Sequence, residues 1–323
     1  MIKFSKILLH VNSLLFISSI IIAQSVDWKI YNSKNSELTS NSIHVIEIDS
    51  KGNFWIGTWG KGLFKFCGKE FINYSAEISK LPHNNIYSID IDKEDGLWIG
   101  TQGGGLARKI NDSWTIYNND NSGLPHNFIY DIALDSLENL WIGTWGSGLV
   151  RLDNNKFDIF SPENSFLPHP KVPSLEIDDS GNIWIGTVKG LALLQDGVIS
   201  IPDYPVSSVY EIFIDGDTKY IGYKDDGLLI VSRDSVKYFT AENSGLPSNR
   251  VWALDKDSKG NLWIGTYSKG LCRYDGKTWT VYNKDNSELP DNYIFDIKID
   301  EEDNIWIGTL SKGLARFSNY QDL

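Results

Sequence analysis

The stretch LWIGTWGSGL, residues 140–149, contains the pattern that decides the fold: an aromatic residue followed by Ile, Gly and Thr. Close copies of this pattern recur along the chain. Their aromatic residues are Trp55, Trp98, Trp141, Trp184, Tyr220, Trp263 and Trp306. Successive copies are 43 residues apart, except for one interval of 36. A fixed period of this size means that one small supersecondary unit is stacked on copies of itself.

Each period contains four short strand-like runs. In the third repeat they cover residues 129–135, 140–144, 148–153 and 157–160, which are rich in β-branched and aromatic residues. An Asp-x-x-Gly-Asn sequence or a close variant lies between the first two runs and is typical of a tight hairpin turn. Four antiparallel strands in about 43 residues form a propeller blade. We therefore predict an all-β protein, a single seven-bladed β-propeller.

The strand count predicts how the ring closes. The pattern of the fourth strand occurs seven times, but its first copy, at Trp28 and Tyr31, precedes every blade. The last blade stops at Phe317 after only three strands. We expect the N-terminal strand to complete this blade, because otherwise a sheet would keep an unpaired edge.

The N-terminal segment has the features of an export signal. Lys3 and Lys6 precede an apolar run over residues 7–22 that is interrupted by polar residues. This pattern predicts a secretory signal peptide over residues 1–23, cleaved near Ala23, and a propeller over residues 24–323. The run is too short and too polar to span a membrane stably. We expect an exported protein, periplasmic or extracellular.

Charge and cysteine content exclude several classes of function. The formal net charge is −12 and becomes −14 when the two lysines of the signal are lost, which disfavours nucleic acid and anionic lipid as partners. Cys67 and Cys272 fall in repeats 1 and 6, too far apart in a ring for a disulfide. Lys259 stands where the turn after Asp255 and Asp257 needs another oxygen ligand for calcium. We expect no cofactor and no metal site.

The positions at which the repeats differ predict a binding face. The residue after each Ile-Gly-Thr and the residue before each first strand emerge on the same side of a propeller. There we expect aromatic and basic side chains to gather, namely Trp59, Phe128, Trp145, Tyr267, Tyr293, Lys171, Lys224 and Arg250. Flat aromatic faces beside hydrogen-bond donors suit sugars, although some of these side chains equally fit packing against their own loops.

Three histidines occupy the same position after Leu-Pro in successive repeats: His83, His126 and His169. A metal site would need their rings to converge within about 4 Å of one point, which equivalent positions on neighbouring blades do not favour. Turn residues inherited by duplication are the preferred interpretation. A hydrogen bond to a ligand is the second, and on that basis His126 and His169 join the candidate binding residues.

The first strands predict an acidic central channel. One side of these strands is apolar, and the other side carries a set of mainly acidic residues. This set is Glu47, Asp90, Asp131, Glu176, Glu211, Asp255 and Asp296, with Lys298 at one equivalent position. Clustered carboxylates with raised pKa values suit acid–base chemistry. A solvated polar lining is the alternative that we favour, because such residues are bathed in water.

Repeat 5 is shorter than its neighbours. The shortening predicts a notch between blades 4 and 5, bordered by His169, Lys171, Tyr204 and Lys224. Basic edges on an acidic protein indicate an anionic ligand such as a uronate. Neutral drift of a surface loop explains the same sequence equally well.

The repeats resemble the two-component regulator propeller repeat, whose hallmark is an acidic-Gly-Asn turn, then Leu-Trp-Ile-Gly-Thr, then Gly-Leu. The resemblance covers nearly all of residues 28–317. It implies a sensor-type propeller, which in the best-known members is the periplasmic half of a hybrid histidine kinase that responds to glycans. The sequence contains one ring and no immunoglobulin-like, membrane-spanning or kinase segment after it. We therefore expect a stand-alone propeller and do not carry over the signalling role.

These observations favour a non-catalytic ligand- or partner-binding propeller that recognises a carbohydrate or a surface polymer. One alternative is a lyase or hydrolase of the seven-bladed streptogramin lyase type. Its catalytic groups would be a histidine from the loops of the predicted binding face, here called the upper loops, and a channel carboxylate. Another is a protein-interaction scaffold in an envelope complex. The sequence has no Ser nucleophile elbow, His-Glu-x-x-His or Gly-rich phosphate loop, which weighs against an enzyme.

Overall fold

The computed structural model describes residues 27–318, so the predicted signal peptide and its cleavage point lie outside the described residues. The described chain forms seven four-stranded antiparallel sheets arranged as the blades of one propeller. The predicted fold class is confirmed. In six of the blades the strands follow chain order from the central channel outward, and each connects to the next by a hairpin, whereas the seventh blade takes its outermost strand from the N-terminus.

Blade 1 contains β2 (Ile43–Ile48), β3 (Phe54–Thr58), β4 (Leu63–Phe66) and β5 (Phe71–Tyr74). Blade 2 contains β6 (Ile86–Ile91), β7 (Leu97–Thr101), β8 (Leu106–Ile110) and β9 (Ser113–Tyr117). Blade 3 contains β10 (Ile129–Leu134), β11 (Leu140–Thr144), β12 (Leu149–Asp153) and β13 (Lys156–Phe160). Blade 4 contains β14 (Ser174–Ile177), β15 (Ile183–Thr187), β16 (Gly190–Gln195) and β17 (Val198–Ser200).

Blade 5 contains β18 (Val209–Asp215), β19 (Thr218–Tyr223), β20 (Leu228–Ser232) and β21 (Ser235–Phe239). Blade 6 contains β22 (Val251–Lys256), β23 (Leu262–Thr266), β24 (Gly270–Tyr274) and β25 (Trp279–Tyr282). Blade 7 contains β26 (Ile294–Ile299), β27 (Ile305–Thr309), β28 (Leu314–Ser318) and the N-terminal strand β1 (Asp27–Tyr31).

The N-terminal strand closes the ring as predicted. β1 pairs antiparallel with β28, with Trp28 opposite Phe317 and Tyr31 opposite Leu314. The rings of Trp28 and Phe317 stack with centroids 4.3 Å apart. Tyr31 is buried and contacts the ring of Phe66 in blade 1, 5.1 Å away. The first and last segments of the described chain are thus joined by ladder hydrogen bonds and by shared aromatic packing.

The repeated motif fills the space between blades. All seven motif aromatics are buried, and each packs against a buried Leu or, once, a Tyr from the loop that enters the next blade. Gly57 shows why the motif needs glycine: a Cβ there would lie 2.7 Å from Ile86 of the next blade. In the irregular repeat 5 the partner of Trp184 is the partly buried Tyr204, which occupies the place of the usual Leu.

The Asp of each hairpin turn bonds the turn and the motif tryptophan together. Asp49 Oδ1 accepts backbone N–H groups of Lys51 and Asn53, and its Oδ2 accepts the indole N–H of Trp55 at 3.1 Å. Equivalent indole bonds occur in blades 3, 4, 6 and 7. Burial acts to raise the pKa of Asp49, but the hydrogen bonds from Asn53 and Trp55 outweigh it and lower that pKa.

Six of the seven innermost strands carry a β-bulge near their start. The register shifts between Ile43 and Val45 in blade 1, and at the same place in blades 2, 3, 5, 6 and 7. A bulge re-aims the side chain of the extra residue and increases the local twist. Because the innermost strands surround the channel, these six bulges shape its mouth.

Candidate functional site at the mouth of the central channel

A cavity of about 790 Å³ occupies the centre of the ring. It is lined by the innermost strands of all seven blades and is as large as the sites that take drug-sized ligands. The cavity opens at the face that carries Trp59, and its wall extends from there along the innermost strands toward their C-terminal ends. The cavity therefore has an aromatic mouth and an acidic interior.

The aromatic mouth is a belt formed by one residue from each blade. Its members are His44, Tyr87, Tyr130, Pro173, Tyr210, Trp252 and Phe295. The six aromatic members sit at the β-bulges, and they follow one another in ring contact from Tyr210 through Trp252, Phe295, His44 and Tyr87 to Tyr130. Centroid distances along this path run from 4.4 to 5.7 Å. Pro173, the belt member of blade 4, has no aromatic ring, so the chain of ring contacts is open at this blade.

The belt is electrically neutral around pH 7. Burial lowers the pKa of His44 to about 4, so its imidazole is uncharged. Burial also raises the pKa of Tyr87 to about 12, mainly by removing the phenol from water. Neutral rings that are held in mutual contact form a rigid apolar surface with π faces available at the mouth.

The predicted aromatic residues flank this belt in two groups. Phe128 and Trp145 lie together at 5.8 Å, and Trp145 stacks on the belt residue Tyr130 at 5.0 Å. On the other side of the ring, Tyr267 contacts Tyr293 at 4.9 Å and the belt residue Trp252 at 4.6 Å. Isolated antiparallel β-bridges join Trp145 to Lys171 and Tyr267 to Tyr293. The residues that follow Ile-Gly-Thr and the residues that precede the first strands therefore lie side by side, as predicted.

Trp59 stands apart from both groups, over the belt in blade 1. Its ring lies 5.3 Å from His44 and 5.9 Å from Tyr87, and 41% of its surface is exposed. The five predicted aromatics therefore do not form one cluster by themselves. They become one surface through the belt.

The predicted basic residues rest on aromatic faces. The ammonium of Lys171 lies 4.5 Å from the ring centre of Trp145, and that of Lys224 lies 5.9 Å from Tyr210. Arg250 lies over Tyr267 and pairs with Asp225 at 2.7 Å. These cations belong to the rim, since none of the three lines the cavity.

The repeated histidines are engaged in their own turns. The Nδ1 atom of His126 accepts the backbone N–H of Phe128 at 2.9 Å, and that of His169 accepts the N–H of Lys171 at 3.1 Å. His83 makes the same bond to Asn85. Within residues 27–318 the cavity wall contains one histidine, His44, so the structure does not bring His126 or His169 to the channel carboxylates.

Four channel carboxylates join neighbouring blades. Asp90 accepts the backbone N–H of Leu134 at 2.6 Å, and Asp131 accepts that of Leu175 at 2.8 Å. Asp255 and Asp296 make the same bond to Ile299 and Ile46. This differs from the expected solvated lining, because each side chain also accepts the N–H of the residue that follows it and is fixed in place.

Of the other three carboxylates, one forms an ion pair and two have no partner among the described residues. Glu47 accepts an ion-pair hydrogen bond from Lys298 across the closing blades, with an N–O distance of 2.7 Å. Glu176 of blade 4 and Glu211 of blade 5 line the cavity, and neither has a hydrogen bond or ion pair to another residue of the described range. Both side chains are half-buried and face the channel.

Burial in this acidic setting raises the pKa values of the carboxyl groups. Desolvation is the main cause at each site, and neighbouring carboxylates add to it. The pKa rises to about 6 for Asp90, about 7 for Asp131 and about 8 for Glu176, and it is well above the usual value for Glu211. Burial opposes the charge of Lys298, but Glu47 and the nearby aspartates raise the pKa of that ammonium.

Sequence reasoning found the channel acids and the flanking aromatics but missed the belt. A strict alternation of inward-facing and outward-facing side chains along the first strands does not predict that His44 and its equivalents face the channel mouth. A signal was present, since the second residue of the first strand is aromatic in six repeats, and the equivalent residue of the remaining repeat, Pro173, lies just before β14. The bulges that turn these residues toward the mouth are visible only in the backbone.

The described residues contain no group of three or more His, Cys, Asp or Glu side chains arranged to hold a metal ion. Asp257 illustrates the reason, because its carboxylate bonds the turn and the indole of Trp263, whereas Asp255 points into the channel. Cys67 is exposed in blade 1, Cys272 is buried in blade 6, and both are free thiols. Within residues 27–318 there is no helix that is long and apolar enough to cross a bilayer.

Comparison with sequence families gives a match to one family, described as the two component regulator propeller. The match covers residues 37–60, 80–103, 123–146, 167–189, 245–268 and 288–311. These segments run from the loop that enters blades 1, 2, 3, 4, 6 and 7 to one residue past the variable position after Ile-Gly-Thr, and no segment matches blade 5. A comparison with curated proteins gives no significant match.

Several solved structures share the fold. The extracellular domain of a putative hybrid two component system from B. thetaiotaomicron aligns with a TM-score of 0.79 and 24% identity over 92% of this chain and 42% of that chain. The extracellular domain of a putative one component system from the same organism aligns at 0.75 and 23%, over 93% and 40%. Virginiamycin B lyase from Staphylococcus aureus aligns at 0.71 and 13%, over 91% and 99%. The chain thus spans about two-fifths of the first two proteins, and such identities show the fold alone.

Proposed function

Because the chain belongs to the two component regulator propeller family, we propose that it is an exported, non-catalytic binding protein that recognises a carbohydrate or surface polymer at the mouth of its channel. The observation that supports this most is the aromatic belt together with the flanking rings of Trp59, Trp145 and Tyr267. The similarity to extracellular domains of a putative hybrid two component system and a putative one component system supports export.

The chemistry of the mouth suits a sugar. The apolar faces of a pyranose ring pack on aromatic rings, while its hydroxyl groups need donors and acceptors nearby. The rim supplies such donors through Lys171, Lys224 and Arg250, each lying beside an aromatic face. The rings are braced by one another, so little side-chain entropy is lost when a ligand binds.

Two features support binding over turnover. The histidines of the upper loops use Nδ1 to hold their own turns, and four channel carboxylates are hydrogen-bonded to backbone amides of the neighbouring blade. Groups engaged in this way stabilise the ring and have less freedom to transfer protons.

The test begins with a glycan array, followed by calorimetry with the glycan that binds best. The double substitution of Trp59 and Trp145 by alanine is expected to weaken that glycan by about 1 to 3 kcal/mol for each aromatic ring that no longer stacks on the sugar. The fold should be retained, because the equivalent positions in other blades are Gln102, Val188 and Leu310. The matched control is Leu137→Ala, an exposed apolar residue in a turn of the opposite face.

A second pair of substitutions asks whether the ligand is anionic. Lys171→Gln with Lys224→Gln should weaken a uronate-bearing glycan, and the loss of affinity should shrink as salt is raised. A neutral glycan should be nearly indifferent to the same change. Unaltered affinity in both double variants, with the control also unaltered, would place the site away from the mouth.

A further inference from the structure

The channel beneath the belt has a chemistry that the aromatic mouth does not explain. Seven carboxylates line it, and Lys298 is the one cation in the lining of the described chain. Four of the seven are satisfied by backbone amides, and Glu47 is satisfied by Lys298. Glu176 and Glu211 remain, on adjacent blades, facing the cavity.

Two half-buried carboxylates that face the channel and have no partner among the described residues are less favourable as anions than in water. A proton or a cation would stabilise them, and Lys298, the one cation of the described lining, is already paired with Glu47. An ammonium group is well suited, because it carries one positive charge and three hydrogen-bond donors. Burial is the main cause of the raised pKa of Glu211, and the charge of Glu176 adds to it, so the two groups lie within electrostatic reach of each other.

The approach to these carboxylates also favours a cation. Aromatic π faces attract ammonium groups, and the protein shows this preference itself, with Lys171 placed over Trp145 and Lys224 over Tyr210. Glu211 directly follows the belt residue Tyr210, and Glu176 lies three residues beyond Pro173. At about 3.3 Å per residue, both carboxylates are within about 10 Å of the belt along the strands. The belt gap at Pro173 lies in the blade that carries Glu176.

We propose that the central channel binds an ammonium group, carried by an amino sugar whose ring rests on the aromatic belt, and that Glu176 and Glu211 hold this cation. The inference rests on the proposed function, because it names the class of carbohydrate that the mouth takes. It also assigns the two carboxylates, absent from the residues that the sequence marked for binding, as determinants of specificity. An anionic sugar is disfavoured inside the channel for the same reason.

The decisive experiment compares two oligosaccharides of equal length, one of glucosamine and one of N-acetylglucosamine, by calorimetry at about pH 7. They differ in charge at the amine, while the pyranose faces are alike. We expect the glucosamine oligomer to bind at least about tenfold more tightly, a difference of about 1.4 kcal/mol. In Glu176→Gln with Glu211→Gln the ratio of the two affinities should fall close to one. Asp179→Asn, an exposed acid on the opposite face, is the charge control.

Spermidine serves as a probe that has ammonium groups but no sugar ring. Its amines stay protonated across neutral pH, so the pH dependence of its binding reports on the protein. Affinity should rise from about pH 6 to about pH 8 as the channel carboxyls lose protons, and the double Gln variant should show a clearly smaller rise. The other groups facing this site are Glu47, Asp90, Asp131, Asp255, Asp296 and Lys298.

The outcomes separate the two proposals. Equal affinity for both oligosaccharides, with no binding of spermidine, would overturn the cation site and leave sugar binding at the mouth intact. Binding of spermidine that is abolished in the double Gln variant, without binding of either oligosaccharide, would support the cation site and contradict the sugar. If the channel binds none of the three probes, the inference is wrong.

Discussion

At the scale of single residues, most repeated side chains hold the blades together. The motif tryptophan fills the space between sheets, and its indole N–H bonds the Asp of the preceding turn in five blades. The motif threonine donates from its hydroxyl to a glycine carbonyl across the next loop, as Thr58 does to Gly62 at 2.7 Å. Repetition therefore indicates structural roles, and binding is expected where repeats diverge.

The turn aspartates provide a test of this structural role. Asp178→Ala removes the acceptor for the backbone N–H groups of Ser180 and Asn182 and for the indole of Trp184. We expect the free energy of unfolding to fall by about 1 to 3 kcal/mol, since the buried indole donor loses its partner. Asp179→Ala is the control, because the neighbouring side chain is exposed. Urea denaturation that gives equal stability for both variants would contradict this role.

Glu176 provides a test of the channel electrostatics. Its pKa in the folded protein is about 8, above the value near 4.5 expected in the unfolded chain, so the folded state holds the proton more tightly. The unfolded state therefore gains relative stability as pH rises between these values, and Glu176 destabilises the fold most at alkaline pH. Glu176→Gln should have little effect near pH 4 and stabilise the protein above pH 8.

The expected gain for Glu176→Gln at alkaline pH is at least about 1.4 kcal/mol, the equivalent of one pKa unit. Thermal unfolding of both proteins over this pH range measures it. A constant difference in melting temperature at all pH values would show that Glu176 is not a buried acid with a raised pKa.

At the scale of strands, sequence periodicity predicted much, but not the channel mouth. The spacing of the motif indicated seven blades, and the misplaced first copy at Trp28 indicated the closing strand. The belt was missed because six first strands contain a bulge, which breaks the period of two by which side chains are assigned to faces. The bonds of Asp90 and Asp131 to the next blade were missed because they depend on the spacing of sheets.

The closing strand leads to a prediction about truncation. A chain that begins at residue 36 lacks β1 and leaves β28 with an unpaired edge and an exposed Phe317 face. We expect the free energy of unfolding to fall by several kcal/mol from the buried area of Trp28 and Tyr31 alone. A chain that begins at residue 26 retains β1 and is the control. An unchanged melting temperature in the shorter chain would contradict closure by β1.

At the scale of the whole molecule, the ring brings together residues that are distant in sequence. His44 and Phe295 are neighbours at 4.4 Å, and Glu47 pairs with Lys298, across the point where blade 7 meets blade 1. Each blade contributes one side chain to the belt, so the mouth exists only in the closed propeller. Ligand binding at the mouth should therefore stabilise the ring as a unit.

The central claim is that the ligand occupies the aromatic mouth of the channel, and the most direct measurement is a crystal structure of the protein with the best-binding glycan of the array. We expect electron density for a sugar ring packed on the belt, near Tyr130 and Trp145 or near Trp252 and Tyr267. Density at the outer strands of the blades or on the face of the aspartate turns, with the mouth occupied only by water, would contradict it.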